Sequence, residues 1–174
     1  GGMGDVYLAR DSRFDREIAI KILKKTFAND PAYLQRFERE TRIAAQLNHP
    51  NIVPVYDTLT FQGCPCLVMA YVRGTDLASY LRQRGVLPAR EALIIVRQVL
   101  DALAHAHRQG LVHRDIKPDN ILILVEEGQD TAKLRVVLTD FGLMKSVRMK
   151  GLEAPPGSTH TQEGVFLGTP DYVS

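Results

Sequence analysis

The sequence predicts an α+β protein with two lobes around a cleft, on the basis of three observations. Strand-like stretches recur through residues 1–70, and helix-like stretches dominate from 75 to 108. One helical pattern, over about 31–47, interrupts the strands. Gly74 then breaks the chain between the two parts. Strands followed by helices, joined through an extended link, are typical of an α+β fold rather than of a single layered sheet.

The first two strands are predicted at 6–10 and 17–23, on either side of a polar turn. Because side chains alternate between the two faces of a strand, Lys21 shares a face with Ala19 and Leu23, opposite the isoleucines. A lysine within a strand of isoleucines is a local misfit, and such misfits often mark a site. Lys21 is therefore a candidate functional residue.

The helix over about 31–47 carries one charged residue on its apolar face. Asn29 or Asp30 can cap its N-terminus, and Pro31 suits the first helical position. Because an unpaired buried carboxylate is costly, Glu40 needs a cationic partner. The residues that fall on the inward face are Tyr33, Phe37, Glu40, Ala44 and Leu47.

The remaining elements are predicted from chain breaks and periodicity. A short helix is capped by Thr75 and ended by Gly85, and a long helix over 89–108 is closed by Gly110. Residues 146–164 are rich in Gly, Pro, Ser, Thr and Lys, which predicts a loop. Further strands are predicted at 52–56, 66–72, 121–125 and 134–139.

The composition is that of an ordinary globular protein. The chain has 174 residues, 45% of them hydrophobic and 24% charged, which fits one domain or a part of one. A net charge of +2 gives no reason to expect nucleic acid as a partner, and no apolar stretch is long enough to span a bilayer. Cys64 and Cys66 are interpreted as reduced strand residues, with half of a metal site as the alternative.

Two short polar motifs carry the chemistry. The run HRDIKPDN occupies 113–120, and DFG occupies 140–142. Together they offer a carboxylate that can accept a hydroxyl proton, a lysine for phosphate, and two oxygen-bearing positions for a metal. Residues of these types in this order are the parts of a phosphoryl-transfer site, and a polar turn is the alternative interpretation.

The two motifs resemble the catalytic and metal-binding loops of protein kinases, and the run GGMGDVYLAR at 1–10 resembles the eukaryotic-like serine/threonine kinases of bacteria. The resemblance covers essentially the whole chain. It implies a two-lobed kinase fold, with an N-lobe sheet and one long helix over 1–70 and a mainly helical C-lobe over 71–174. It also implies a fragment that lacks the first strand and the later helices, which we expect to be inactive or poorly folded alone.

By this resemblance, Asp115 is the catalytic base and Lys117 lies near the γ-phosphate. Lys21 is held against the α- and β-phosphates of ATP by an ion pair with Glu40. Asn120 and Asp140 are the ligands of Mg²⁺ or Mn²⁺, which prefer hard oxygen donors.

The resemblance also implies an ATP site between the lobes. The glycines at the start would let backbone amides approach phosphate, although a glycine-rich hairpin turn is the alternative on the residues alone. Ala70 departs from the Glu that the family usually carries, but the expected contact there uses the backbone. The implied nucleotide-binding residues are Gly1, Gly2, Gly4, Val6, Ala19, Lys21, Met69, Ala70, Val72 and Leu122.

Regulation is implied by Arg114, a cation beside the catalytic base that can bind a phosphate on the loop after 140–142. Ser158, Thr159 and Thr161 are the candidate acceptors, with Thr161 the best match. Thr169 is expected to contact the catalytic loop. His113 and Phe141 are expected to pack in a column with Ala44 and Val55, with His113 as a general base the alternative.

Three functions remain open on the sequence. The first is a serine/threonine protein kinase that acts on protein substrates. Its further expected partner is a second copy of the kinase domain, for phosphorylation in trans, and this segment is expected to contact neither nucleic acid nor membrane. The second is a pseudokinase scaffold, and the third is a small-molecule phosphotransferase of related fold. A cytoplasmic location is expected, with a membrane anchor elsewhere in the full protein as an open alternative.

Overall fold

The first part of the chain folds into a four-stranded antiparallel sheet of order β1-β2-β4-β3. The computed structural model describes residues 4–125 and 134–141. Only glycine fits at Gly4, because a Cβ there would overlap the carbonyl oxygen of Ile22 on the neighbouring strand. The strands are β1 (Gly4–Asp11), β2 (Arg16–Leu23), β3 (Val55–Phe61) and β4 (Cys64–Ala70).

The long helix of this part, α2 (Pro31–Ala44), follows a single turn, α1 (Lys25–Ala28), that the sequence did not predict. Asp30 caps α2, since its carboxylate accepts hydrogen bonds from the backbone amides of Ala32 and Tyr33. The predicted inward face is confirmed. Its apolar members are buried, and the Glu40 side chain is 13% exposed.

The second part combines two helices with a small sheet of order β5-β6-β7. Asp76, and not the predicted Thr75, caps the first helix, because its carboxylate accepts from the amide of Ser79 at 2.7 Å. Gly85 and Gly110 have positive φ and end the two helices as predicted. The elements are β5 (Thr75–Asp76), α3 (Leu77–Arg84), α4 (Ala89–Arg108), a 3₁₀ turn (Pro118–Asn120), β6 (Ile121–Leu124) and β7 (Arg135–Leu138).

The loop after α2 belongs to the second part of the molecule by its contacts. Ile52, predicted to begin a strand of the first sheet, bridges instead to Leu138 of β7. The Leu138 amide donates to Asn51 at 2.8 Å, and the Val53 amide donates to Leu138 at 2.9 Å. This loop therefore ties the helix that carries Glu40 to the strand that leads into Asp140.

A search of the described residues for membrane-spanning helices finds none with the required length and hydrophobicity.

A histidine pair lies beside this loop. The ring centroids of His49, on the loop, and His105, on α4, are 5.1 Å apart. Burial, together with the positive charge that His105 can carry, holds the pKa of His49 below its ordinary value of about 6.5. Asp101 opposes this effect, and Arg108 adds to it.

Acid is therefore expected to destabilise the fold through the His49–His105 pair. Because the folded-state pKa of His49 is lower than the unfolded one, the unfolded chain takes up the proton more readily, and the free energy of unfolding falls as pH drops through about 6.5. His105→Asn should reduce this pH dependence, measured as urea midpoints at about pH 8 and about pH 5.5. His107→Asn, on an exposed position of the same helix, is the matched control. An equal effect of both variants would contradict the role of the pair.

Candidate active site

His113 anchors the loop over residues 113–120 as a neutral, buried side chain. It is 1% exposed, and burial lowers its pKa. Nδ1 accepts from the Asp115 amide at 3.3 Å, so Nε2 carries the proton and donates to the carbonyl of Thr139 at 2.9 Å. Its ring packs on Phe141 with centroids 4.7 Å apart. The predicted packing of these two residues is confirmed, while the contacts of the column with Ala44 and Val55 stay a prediction.

Asp115, Lys117 and Asn120 converge within this loop. The Asn120 side-chain amide donates to the Asp115 carbonyl at 2.7 Å and lies 3.3 Å from its carboxylate Oδ2. The Lys117 ammonium lies 3.5 Å from the same Oδ2. Because the NH₂ group of Asn120 is directed at Asp115, its Oδ1 is the atom left to bind a cation. Proline at the first position of the 3₁₀ turn, and Asn120 buried at its end, hold this arrangement.

Asp140 reaches the same place from the end of β7. The Thr139 amide donates to the Asn120 carbonyl at 3.0 Å, which sets the two segments side by side. Asp140 has φ of 58°, a left-handed conformation uncommon for residues with a side chain. Such local strain is frequent at functional sites. Its Oδ2 lies 2.8 Å from the ammonium of Lys21.

The predicted ion pair between Lys21 and Glu40 is wrong for this conformation. Glu40 pairs with Arg114, whose Nη1 lies 2.8 Å from Oε1, while Lys21 pairs with Asp140. The second Glu40 oxygen, Oε2, is buried and has no hydrogen-bond partner within the described part of the chain. The inward charge did require a cation, but two cations were within reach. Arg114, in the left-handed region at φ of 59°, is the one that meets it.

The predicted nucleotide-binding residues that the structure describes lie on β1, β2, β4 and β6 and just after β4. Ala19 and Met69 face each other across β2 and β4 and are buried, at 7% and 4% exposure. Val6 lies opposite Lys21 in the β1–β2 pair and is 55% exposed. Three further members are partly buried against the core, namely Ala70, Val72 and Leu122.

The donor set fits a divalent cation shared with a polyphosphate. Asp140 and Asn120 offer a carboxylate and an amide oxygen, the hard ligands that Mg²⁺ and Mn²⁺ accept. Among residues 4–125 and 134–141, no three His, Cys, Asp or Glu side chains form a cluster that could hold a metal alone. A cation here would therefore need phosphate and water oxygens to complete its coordination shell.

Cys64 and Cys66, the two cysteines of the chain, are both buried free thiols.

Several predicted residues lie outside the described part of the chain. Gly1 and Gly2 precede it, and the last member of the DFG motif, Gly142, follows it. The predicted regulatory residues Ser158, Thr159, Thr161 and Thr169 also lie beyond residue 141.

Known proteins match this chain over its whole length. The family described as "Protein kinase domain" matches residues 1–174. The chain belongs to this family. It is 42% identical over its whole length to Serine/threonine-protein kinase PrkC of Bacillus subtilis (strain 168), of which it covers 24%. It is also 42% identical to Serine/threonine-protein kinase PknA of Mycobacterium tuberculosis (strain ATCC 25618 / H37Rv), of which it covers 38%. The chain thus spans well under half of these relatives.

Solved kinase structures confirm the fold. The Mycobacterium tuberculosis PknI kinase domain superposes with a TM-score of 0.71 at 39% identity, over 82% of this chain and 56% of that one. Rad53 1-466 in complex with AMP-PNP superposes with a TM-score of 0.68 at 34% identity, over 82% of this chain and 36% of that one. The sheet with α2 corresponds to part of the N-lobe of a protein kinase fold, and the part that begins at β5 corresponds to the start of the C-lobe.

Proposed function

We propose that the protein containing this chain is a serine/threonine protein kinase. It would transfer the γ-phosphate of ATP to hydroxyl groups of protein substrates, using Mg²⁺ or Mn²⁺. The observation that carries the proposal is a continuous set of ion pairs and hydrogen bonds that links residues of three separate segments, namely Lys21, Asp115, Lys117, Asn120 and Asp140.

Each residue has a definite task in the proposed reaction. Asp115 orients the substrate hydroxyl and takes its proton as the oxygen bonds to phosphorus and ADP departs. Lys117, 3.5 Å from that carboxylate, balances charge on the transferred group. The bound metal–ATP complex supplies the phosphoryl group and neutralises its oxygens, and Asn120 and Asp140 would hold it.

The choice of serine or threonine rests on Lys117 and on the relatives. A lysine two residues after the catalytic aspartate resembles serine/threonine kinases, and PrkC and PknA are named as such. Protein substrates are favoured over small molecules because the stretch after Asp140 resembles a segment that forms a peptide groove.

The test is phosphorylation by the complete protein. It is incubated with Mg²⁺ and ATP, with Asp115→Asn in parallel, and both are analysed by intact mass and phosphopeptide mapping. Phosphate on Thr159 or Thr161 that is absent from the variant would support the proposal. Bound ATP with no phosphate on the protein or on a generic acceptor would favour the second candidate, a scaffold without turnover. The observation that favours this second candidate is the pairing of Lys21 with Asp140 rather than with Glu40.

Regulation by the loop after residue 141 is part of the proposal. In the present pairing, Arg114 holds Glu40 at 2.8 Å and so keeps it from Lys21. Phosphate on Thr159 or Thr161 would compete for Arg114 because a phosphate carries about two negative charges and a carboxylate only one. Glu40 would then be free to pair with Lys21, and Thr169 would contact the catalytic loop.

Arg114→Gln is expected to uncouple activity from phosphorylation of that loop. The variant neither restrains Glu40 nor binds the phosphate, so the ratio of rates before and after phosphatase treatment should fall to about one. Peptide phosphorylation by both forms gives the ratio. Arg108→Gln, at an exposed position on α4, serves as the control. A ratio in Arg114→Gln equal to that of the wild type would exclude Arg114 as the sensor.

The proposed organisation divides the chain into lobes at 1–70 and 71–174. A homodimer is the proposed arrangement for phosphorylation in trans, and the proposed location of this domain is cytoplasmic. Sedimentation of the complete protein, with and without ATP, tests the dimer.

A further inference from the structure

Gln98 lies in the central stretch of α4, and its side-chain amide pairs with the backbone of β7 and of the residue before it. Nε2 donates to the Leu134 carbonyl at 2.8 Å, and Oε1 accepts from the Val136 amide at 3.0 Å. The side chain therefore forms the two hydrogen bonds that a neighbouring strand would form. β7 needs such a partner, because it lies at one end of the sheet order β5-β6-β7 and only its other side pairs with β6.

Asn51 completes the same connection from the loop after α2. Its Nδ2 donates to Oε1 of Gln98 at 2.8 Å and to the Val136 carbonyl at 2.7 Å. Both backbone polar groups of Val136, which is fully buried, are thus satisfied by side chains. Unmade hydrogen bonds at a buried backbone site are costly, so these two amides help to hold β7 in place, together with its pairing to β6 and the bonds of Leu138 to the loop after α2.

The position of β7 affects the candidate cation ligand Asp140, because β7 ends two residues before it. The backbone of Asp140 is in the left-handed region, and its carboxylate is 27% exposed beside Lys21. A backbone bond from Thr139 to Asn120 continues the β6–β7 pairing and sets the two candidate cation ligands on neighbouring segments. If β7 shifts, that bond and the separation of the ligands change together.

We propose that Gln98 is a positioning residue for the cation site, with Asn51 as its support. Gln98 touches neither nucleotide nor cation, and it acts by holding β7 so that Asp140 and Asn120 bind one ion together. The inference rests on the proposed function for the identity of the ligand, metal-bound ATP. Its test therefore measures binding as well as phosphate transfer.

The experiment compares ATP affinity with and without Mg²⁺ by calorimetry, using the complete protein. Gln98→Met keeps the volume and helix propensity of the side chain but removes its hydrogen bonds. Supporting residues around metal ligands typically contribute about 10- to 100-fold in affinity, so the gain in ATP affinity from Mg²⁺ should fall by about tenfold. Metal-free ATP affinity should stay within about twofold of the wild type. Gln83→Met, exposed on α3, is the matched control.

Asn51→Ala provides a second, milder variant, because it leaves both bonds from Gln98 to β7 in place. It should lose part of the Mg²⁺ gain, and it decides the question if Gln98→Met does not fold. An unchanged Mg²⁺ gain in a folded variant would overturn the inference, even if phosphate transfer fell. A wild-type protein without any Mg²⁺ gain would also overturn it. A wild type that shows the gain but transfers no phosphate would contradict the proposed function alone.

Discussion

Asp115→Asn is expected to lower the rate of phosphate transfer by about 1000-fold, within the range of about 10² to 10⁴ that general base catalysis contributes. An amide at this position can still accept a hydrogen bond from the substrate hydroxyl, but it cannot take the proton. The fold should survive the change. The Asn120 amide bonds chiefly to the Asp115 backbone carbonyl, at 2.7 Å, and the His113 contact uses the Asp115 backbone amide.

The measurement is single-turnover phosphorylation of a generic protein acceptor by the complete protein. ATP affinity in the same samples separates loss of chemistry from loss of binding. Asp119→Asn is the matched control, since Asp119 belongs to the same loop but is exposed. A rate for Asp115→Asn within a few-fold of the control would remove Asp115 from the role of base.

Periodicity was sufficient for the elements whose faces differ strongly. The long helix over Ala89–Arg108 has the bounds that the pattern predicted, because apolar spacing defines its length and Gly110 its end. The inward face of α2 was equally clear. Strand limits were less accurate, and Ile52 was assigned to the wrong sheet, since an apolar residue does not reveal which neighbour its backbone will meet.

Ion-pair partners were harder to predict than burial. The pattern required a cation for Glu40, yet Lys21 and Arg114 both satisfied that requirement, and local sequence does not rank them. The two residues that form the observed pairs, Arg114 with Glu40 and Asp140 with Lys21, both have positive φ. Such conformations depend on tertiary contacts and are not encoded in the type of the residue.

The hydrogen-bond partners of Gln98 were likewise not predictable from the local sequence. In the sequence it is one of three polar residues, with Arg97 and Asp101, among the apolar residues of 93–104, and each of them could equally have faced solvent. Its hydrogen-bond partners, Leu134 and Val136, lie 36 and 38 residues further along the chain, so local sequence around Gln98 does not reveal them. The useful signal was the misfit itself, as it was for Lys21.

Asp140→Asn is expected to lower phosphate transfer by about 1000-fold for a different reason, the loss of the charged ligand of the cation. The gain in ATP affinity from Mg²⁺ should largely disappear with it. Metal-free ATP should bind more tightly than to the wild type, by roughly 2- to 5-fold, because partly exposed ion pairs are worth about 0.2–1 kcal/mol. The substitution releases Lys21 from its 2.8 Å pair and removes a negative charge that repels the phosphates.

These opposite signs distinguish a cation ligand from a structural aspartate. A destabilised site would bind ATP more weakly both with and without Mg²⁺, whereas a lost ligand weakens binding only when the metal is present. Calorimetric titrations in Mg²⁺ and in chelator give both values, and Asp57→Asn on the exposed face of β3 is the control. Parallel losses under both conditions would assign Asp140 to the support of Lys21, and Asn120 would then remain as the single protein ligand proposed among the described residues.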